Sequence, residues 1–110
     1  MGNNKTSAAD MGRLLDLIYK RKIANEALTR ELLDFMKDTD FEDRLARDIP
    51  KSVAVIHKAA DGTSFVHDVG VIDDGKKPFV LSILASEVRS EEQAKATIAK
   101  IAKFIYDRGN

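Results

Sequence analysis

With 110 residues, 44% of them hydrophobic and 33% charged, the chain is long enough to bury one core and too short for two, and its composition lies far from that of disordered or fibrous polypeptides. Eighteen basic side chains offset eighteen acidic ones and cysteine is absent, which argues against partners gathered by net charge, such as nucleic acid or anionic lipid, and excludes disulfides, thiolate metal sites and a thiol nucleophile. No segment approaches the ~20 apolar residues of a membrane span and no apolar stretch follows Met1, so the expectation for the chain as written is no membrane span and a cytoplasmic location. Met1 to Thr6 also fits the brief pattern for amino-terminal myristoylation, which coincidence often produces.

In chain order, Met11, Leu14, Leu15 and Ile18 recur at helical spacing, and Ser7 with Asp10 three residues on supplies a cap of the capping-box type. They predict a first helix from about Ser7 to Tyr19. Asn25 can cap a second helix with the apolar stripe Leu28, Leu32, Phe35 and Met36. Lys37 sits near its carboxyl end, where the helix dipole favours a cation, and the helix is predicted to end near Asp38. A short third turn is expected from Asp40 through Phe41, Leu45 and Ala46. It stops at Ile49-Pro50, because proline disfavours helical geometry in the residue before it. Residues 7–50 thus form a helical part.

Beyond Pro50 the period changes. Val53 to Lys58 reads as a strand, Ala60-Asp61-Gly62-Thr63 as a turn, and Phe65 to Ile72 as a second strand. Asp73 to Pro78 reads as a hairpin loop and Phe79 to Leu84 as a third strand. Ser90 with Gln93 repeats the capping pattern, and Ala94, Ile98, Ile101 and Ile105 line one face of a closing helix to about Asp107. The expected fold class is α+β: leading helices, a three-stranded antiparallel meander and a closing helix, in a single domain over residues 1–110. The third strand is apolar at nearly every position, so both its faces need cover and the closing helix supplies only one. The leading helices or a segment outside the chain would supply the other.

Read as chemistry, the polar residues that stand out are His57 and Lys58 at the end of the first strand and His67-Asp68 inside the second. A hairpin brings the two sets near each other. A His-Asp pair can orient an imidazole for base work, and Lys58 can attract an anion. Adjacent strand residues point to opposite faces, however, so His67 and Asp68 are expected to bond locally in the sheet rather than form a dyad. Two histidines ten positions apart without a third ligand do not make a metal site. No G-x-S-x-G elbow, phosphate-binding glycine loop or H-E-x-x-H occurs.

The run Ile49-Pro50-Lys51-Ser52-Val53-Ala54-Val55-Ile56-His57-Lys58, with Val66-His67-Asp68-Val69-Gly70-Val71-Ile72 after a turn, resembles the penicillin-recognising serine enzymes of the class A β-lactamase group. Thr6 to Leu15 is similar to the start of the helix after that family's omega loop, and Leu28 to Met36 to the helix before its central strand. The likeness spans nearly the whole chain in order. It implies a mixed fold in which three carboxy-terminal strands and the last helix pack beside two amino-terminal strands, a portion missing here. The family's catalytic set is S-x-x-K with the nucleophile, S-D-N, an acidic residue on the omega loop, and K-T-G on the strand beside the site. No serine in this chain has a lysine three positions later, S-D-N is absent, and K-T-G falls at Lys58-Ala59-Ala60.

The resemblance therefore implies a substrate-binding remnant made of Lys58, Ala59, Ala60 and Asp61, with no catalytic residue, metal or cofactor. Ala59 lacks the hydroxyl that bonds the substrate carboxylate, Ala60 adds a methyl where the family has glycine, and the backbone N–H of Asp61 stands where an oxyanion-hole donor belongs. Two readings follow: the carboxy-terminal portion of a β-lactamase-like hydrolase, inactive alone, or a non-catalytic protein-interaction module. In either, the strand Phe79 to Leu84 is expected to present an open edge to a second copy, giving a homodimer, or to a missing amino-terminal half.

Overall fold

The computed structural model of the protein describes residues 5–109, so Met1 to Asn4 of the myristoylation-like pattern lie outside the described residues. Two helices lead, α1 (Ala8–Tyr19) and α2 (Glu26–Phe35), and a third, α3 (Glu91–Arg108), closes the chain. Ser7 Oγ accepts the N–H of Asp10 at 3.1 Å, Asn25 Oδ1 that of Leu28 at 2.8 Å, and Ser90 Oγ that of Gln93 at 3.2 Å. Each cap satisfies one of the donors that a helix amino terminus leaves unpaired.

The second helix stops at Phe35, short of the predicted Asp38. Met36 is its carboxyl cap and Asp38 adopts a left-handed φ of 49°, which no right-handed helix continues. Lys37 consequently lies beyond the last turn and meets Asp34 at 3.6 Å. The expected turn at Asp40 to Ile49 does not become a helix either. Isolated bonds from Arg47 N–H to Arg44 O and from Ile49 N–H to Ala46 O mark successive turns.

Three strands follow, β1 (Ala54–Gly62), β2 (Phe65–Asp73) and β3 (Phe79–Ala85), in the antiparallel order β1-β2-β3. The first is longer than predicted: Ala60, Asp61 and Gly62 pair with His67, Val66 and Phe65, leaving Thr63-Ser64 as the turn. These are weak strand formers, carried into the ladder by register with a strongly β-forming partner strand.

Side chains alternate between two covered faces. On one, Ile56, Val69 and Val71 pack with Leu15 of α1 and Leu33 of α2. On the other, Val55, Val66 and Ile72 pack with Ile98 and Ala102 of α3 and with Leu45, Ala46 and Ile49 of the segment before β1. Each buried valine, leucine or isoleucine among these contributes ~1.5–3 kcal/mol. The strand β3 is half-buried along its length because Val80 and Leu84 face α1 while Phe79, Leu81 and Ile83 face α3; the leading helices supply the second cover. Tyr19, at the end of α1, donates its hydroxyl to the Asp73 carboxylate at the end of β2. Burial, then the bond to Asp73, pushes the Tyr19 pKa up to about 12. Among the described residues no helix is long and apolar enough to cross a membrane.

Candidate functional site

The strand β1 is an edge strand, and its outer side is legible from one bond. The N–H of His57 donates to Met36 O at 3.0 Å, away from β2. Because antiparallel backbone groups alternate in direction, the N–H groups of Ala59 and Asp61 also turn away from β2. The expected oxyanion-hole donor, the Asp61 N–H, is thus aimed outward.

The four candidate residues divide between the two faces. Lys58 and Ala60 are exposed on the α1 side, and Lys58 Nζ folds back to Ala59 O at 2.8 Å. Ala59 turns to the α3 side and is only 5% exposed. Asp61, on that side too, holds Arg44 at 2.7 Å. Beside Lys58 and Ala59 runs a groove of about 390 Å³, lined also by Phe35, Thr39 and Phe41.

Beneath this strand lies a polar network. His57, 1% exposed, is held between Asp68 Oδ1 at 2.8 Å from Nδ1 and Glu42 Oε2 at 2.7 Å from Nε2. Glu42 Oε2 also accepts from the hydroxyl of Thr39 at 2.7 Å and from its N–H at 3.1 Å, and Asp68 Oδ2 accepts the N–H of Leu45 at 3.1 Å. Arg44, wholly buried, bonds Asp61, Asp43 at 3.0 Å and the carbonyl of Ala60 at 3.2 Å. Lys95 of α3 reaches Asp43 at 2.9 Å. Opposite His57 stands Gly70; a Cβ there would come within 2.6 Å of both His57 Cβ and Ile56 O, so only glycine lets β1 and β2 approach this closely at His57.

Charge follows from these contacts. Burial disfavours a charged imidazole, but the bonds and charges of Asp68 and Glu42 outweigh it and hold the His57 pKa above the ordinary histidine value. Burial likewise opposes ionisation of Glu42, and Thr39 and His57 overcome it, leaving Glu42 below the usual carboxylate range. The Asp43 carboxylate is lowered in the same way by Lys95 and Arg44 against its own desolvation.

The dyad is therefore His57–Asp68 across strands, not the sequence neighbours His67–Asp68. His57 opposes Gly70 and Ala59 opposes Asp68, which makes His57 and Asp68 diagonal neighbours on one face. His67 sits on the other face, stacked on Phe65 at 4.9 Å, its buried Nδ1 without a hydrogen-bond partner among the described residues. Sequence reasoning missed Glu42, Arg44 and Thr39; the pairing register was the available signal for Asp68, and nothing local marked the other three. Among the described residues no group of three His, Asp or Glu side chains is placed to hold a metal ion.

A sequence profile described as the β-lactamase enzyme family matches residues 1–108. The structure of PBP-A superposes with a TM-score of 0.88 at 23% identity, covering 97% of this chain and 41% of that one. A β-lactamase from Chitinophaga pinensis gives 0.87 at 24% identity over 96% of this chain and 42% of its own. The extended-spectrum β-lactamase TLA-1 gives 0.84 at 25% identity over 93% and 41%. The chain thus spans about two fifths of the length of these proteins, and its fold is partial relative to theirs. No curated protein sequence matches it.

Proposed function

This chain belongs to the β-lactamase enzyme family, and from that premise we propose that it is the carboxy-terminal portion of a β-lactamase-like serine hydrolase, inactive alone, in which the outer edge of β1 is what remains of the substrate site. The observation that carries this reading is the edge itself: Lys58 exposed, the Asp61 N–H directed away from β2, and a groove alongside. A cation and an outward backbone donor are the two groups that would meet a substrate carboxylate and a developing oxyanion. A mutant of PBP-A is known as an acyl-enzyme complex with penicillin-G, which supports an amide of that class as the substrate of the complete unit.

Alone, the chain offers no S-x-x-K serine, and acyl transfer needs a nucleophile and its base within hydrogen-bond reach. Incubation of the purified chain with a chromogenic cephalosporin is expected to give no turnover. Saturable hydrolysis that disappears in Lys58→Ala would overturn the reading.

A second reading, an interaction module, is favoured by β3. It is the terminal strand of the sheet, apolar from Phe79 to Leu84 apart from Ser82, and a groove of about 470 Å³ lined by Ile83, Val88, Ile98 and Ile101 opens beside it. Such an edge is a template for pairing with a second copy in a homodimer or with the amino-terminal part of the family fold. Light scattering over a concentration series tests it: a monomeric mass at high micromolar concentration, with slow amide exchange along 79–84, would show that the edge is covered within the chain.

A further inference from the structure

The segment between α2 and β1 has little regular backbone structure, and Arg44 and the His57 ring hold it to the sheet. Its rear is pinned by Arg44, through Asp61 and the Ala60 carbonyl, and by the Leu45 N–H on Asp68. Its front, Thr39 to Glu42, is pinned by Glu42 on His57, with Thr39 Oγ1 at 3.4 Å from the same ring nitrogen. That front carries Phe41, which lines the groove beside Lys58 and Ala59. We infer that His57 is a positioning residue: its doubly paired ring latches the front of the segment onto the edge of β1, and loss of one ring proton releases that front while the Arg44 half stays in place. The inference rests on the reading of β1 as the ligand-facing edge.

Ring chemistry supplies the asymmetry. Only an imidazolium donates from both nitrogens; a neutral ring donates from one and presents a lone pair at the other. Asp68 is wholly buried and also holds Leu45 N–H, so it keeps the proton, whereas Glu42, with about a third of its side chain exposed, can turn to water. The charged groups around the ring are Asp68 from β2, Glu42, Asp43 and Arg44 from the segment, Asp61 and Lys58 from β1, and Lys95 from α3, with Asp38 and Asp40 at the groove. Arg44 stays charged throughout and keeps the rear closed.

The test uses the isotopically labelled chain, its two ring nitrogens followed by NMR while amide exchange, corrected for intrinsic base catalysis, is measured from about pH 6 upward through the ring titration. The amides of Thr39, Phe41 and His57, bonded to Glu42, Thr39 and Met36, are expected to exchange at least tenfold faster once the ring titrates, while Leu45 holds. In Glu42→Gln the step should vanish, because an amide accepts from the charged ring and donates to the neutral one. Unchanged exchange at Phe41 across the ring titration, or a step retained in Glu42→Gln, overturns the inference. Neither result depends on the cephalosporin assay, so failure of the substrate reading and failure of the latch are separable.

Discussion

Replacing Gly70 by alanine tests the close approach of β1 and β2 at His57. The new Cβ would fall 2.6 Å from His57 Cβ, 2.6 Å from Ile56 O and 3.0 Å from His57 Cα. These are atoms of the neighbouring strand and the root of a buried side chain, so no flexible tip can swing aside. Overpacking of this kind costs ~1–3 kcal/mol. If β1 moves out to relieve it, His57 leaves Asp68, and a buried bond to a charged group contributes a further ~1.5–3 kcal/mol. The sum is about 2.5–6 kcal/mol, a large part of the ~5–15 kcal/mol that holds a small domain together. Urea denaturation followed by circular dichroism should show the midpoint falling steeply with little change of slope. A loss below about 1 kcal/mol would refute the reasoning, since it would mean that β1 and β2 separate at His57 without penalty.

Other substitutions differ in sign or in pH profile. Gly12 lies inside α1, where an added Cβ would meet Ser82 Cβ at 3.5 Å and Val80 Cγ1 at 3.9 Å, ordinary contact distances; Gly12→Ala should stabilise by ~0.5–1 kcal/mol through helix propensity, and any destabilisation on thermal melting would contradict this. Arg44→Ala removes a wholly buried cation whose carboxylate partners keep some access to water, so the expected cost is about 2–3 kcal/mol, below the ~3–5 of a fully buried pair. The folded His57 pKa is raised, so its contribution is complete below the unfolded value of ~6.5 and is lost as pH rises through the folded one. Glu42 is lowered, so its contribution is present above its ordinary value of 4.5 and is lost as pH falls through the folded one. Denaturation midpoints should accordingly peak between these limits, and a steady gain in stability from neutral to alkaline pH would disprove the assignment.

Helix starts were readable because a cap is a local event: Ser7, Asn25 and Ser90 each bond an N–H three residues on. The α+β order and the antiparallel meander were readable for the same reason, since apolar period and turn residues lie within a few positions of each other. Where β1 ended was not. Ala60 to Gly62 enter the strand only because β2 supplies their partners, and a partner strand is not a property of the residues it pairs with.

The polar network shows the division most clearly. His57 and Asp68 are 11 residues apart and Glu42 lies 15 from His57; the first two stand out as polar residues in apolar strands, but nothing in their neighbourhoods pairs them, and nothing near Glu42 distinguishes it from a surface charge. Composition and periodicity determined the fold class, and the runs Ile49 to Lys58 and Val66 to Ile72 the likeness to a family and hence the residues to watch on β1. Only the tertiary structure decided that Ala59 turns inward, that Asp61 is held by Arg44, and that His57 carries two carboxylates. Strand register and the path of the segment before β1 fix which side chains meet, and both are set by packing of the whole core rather than by local preference.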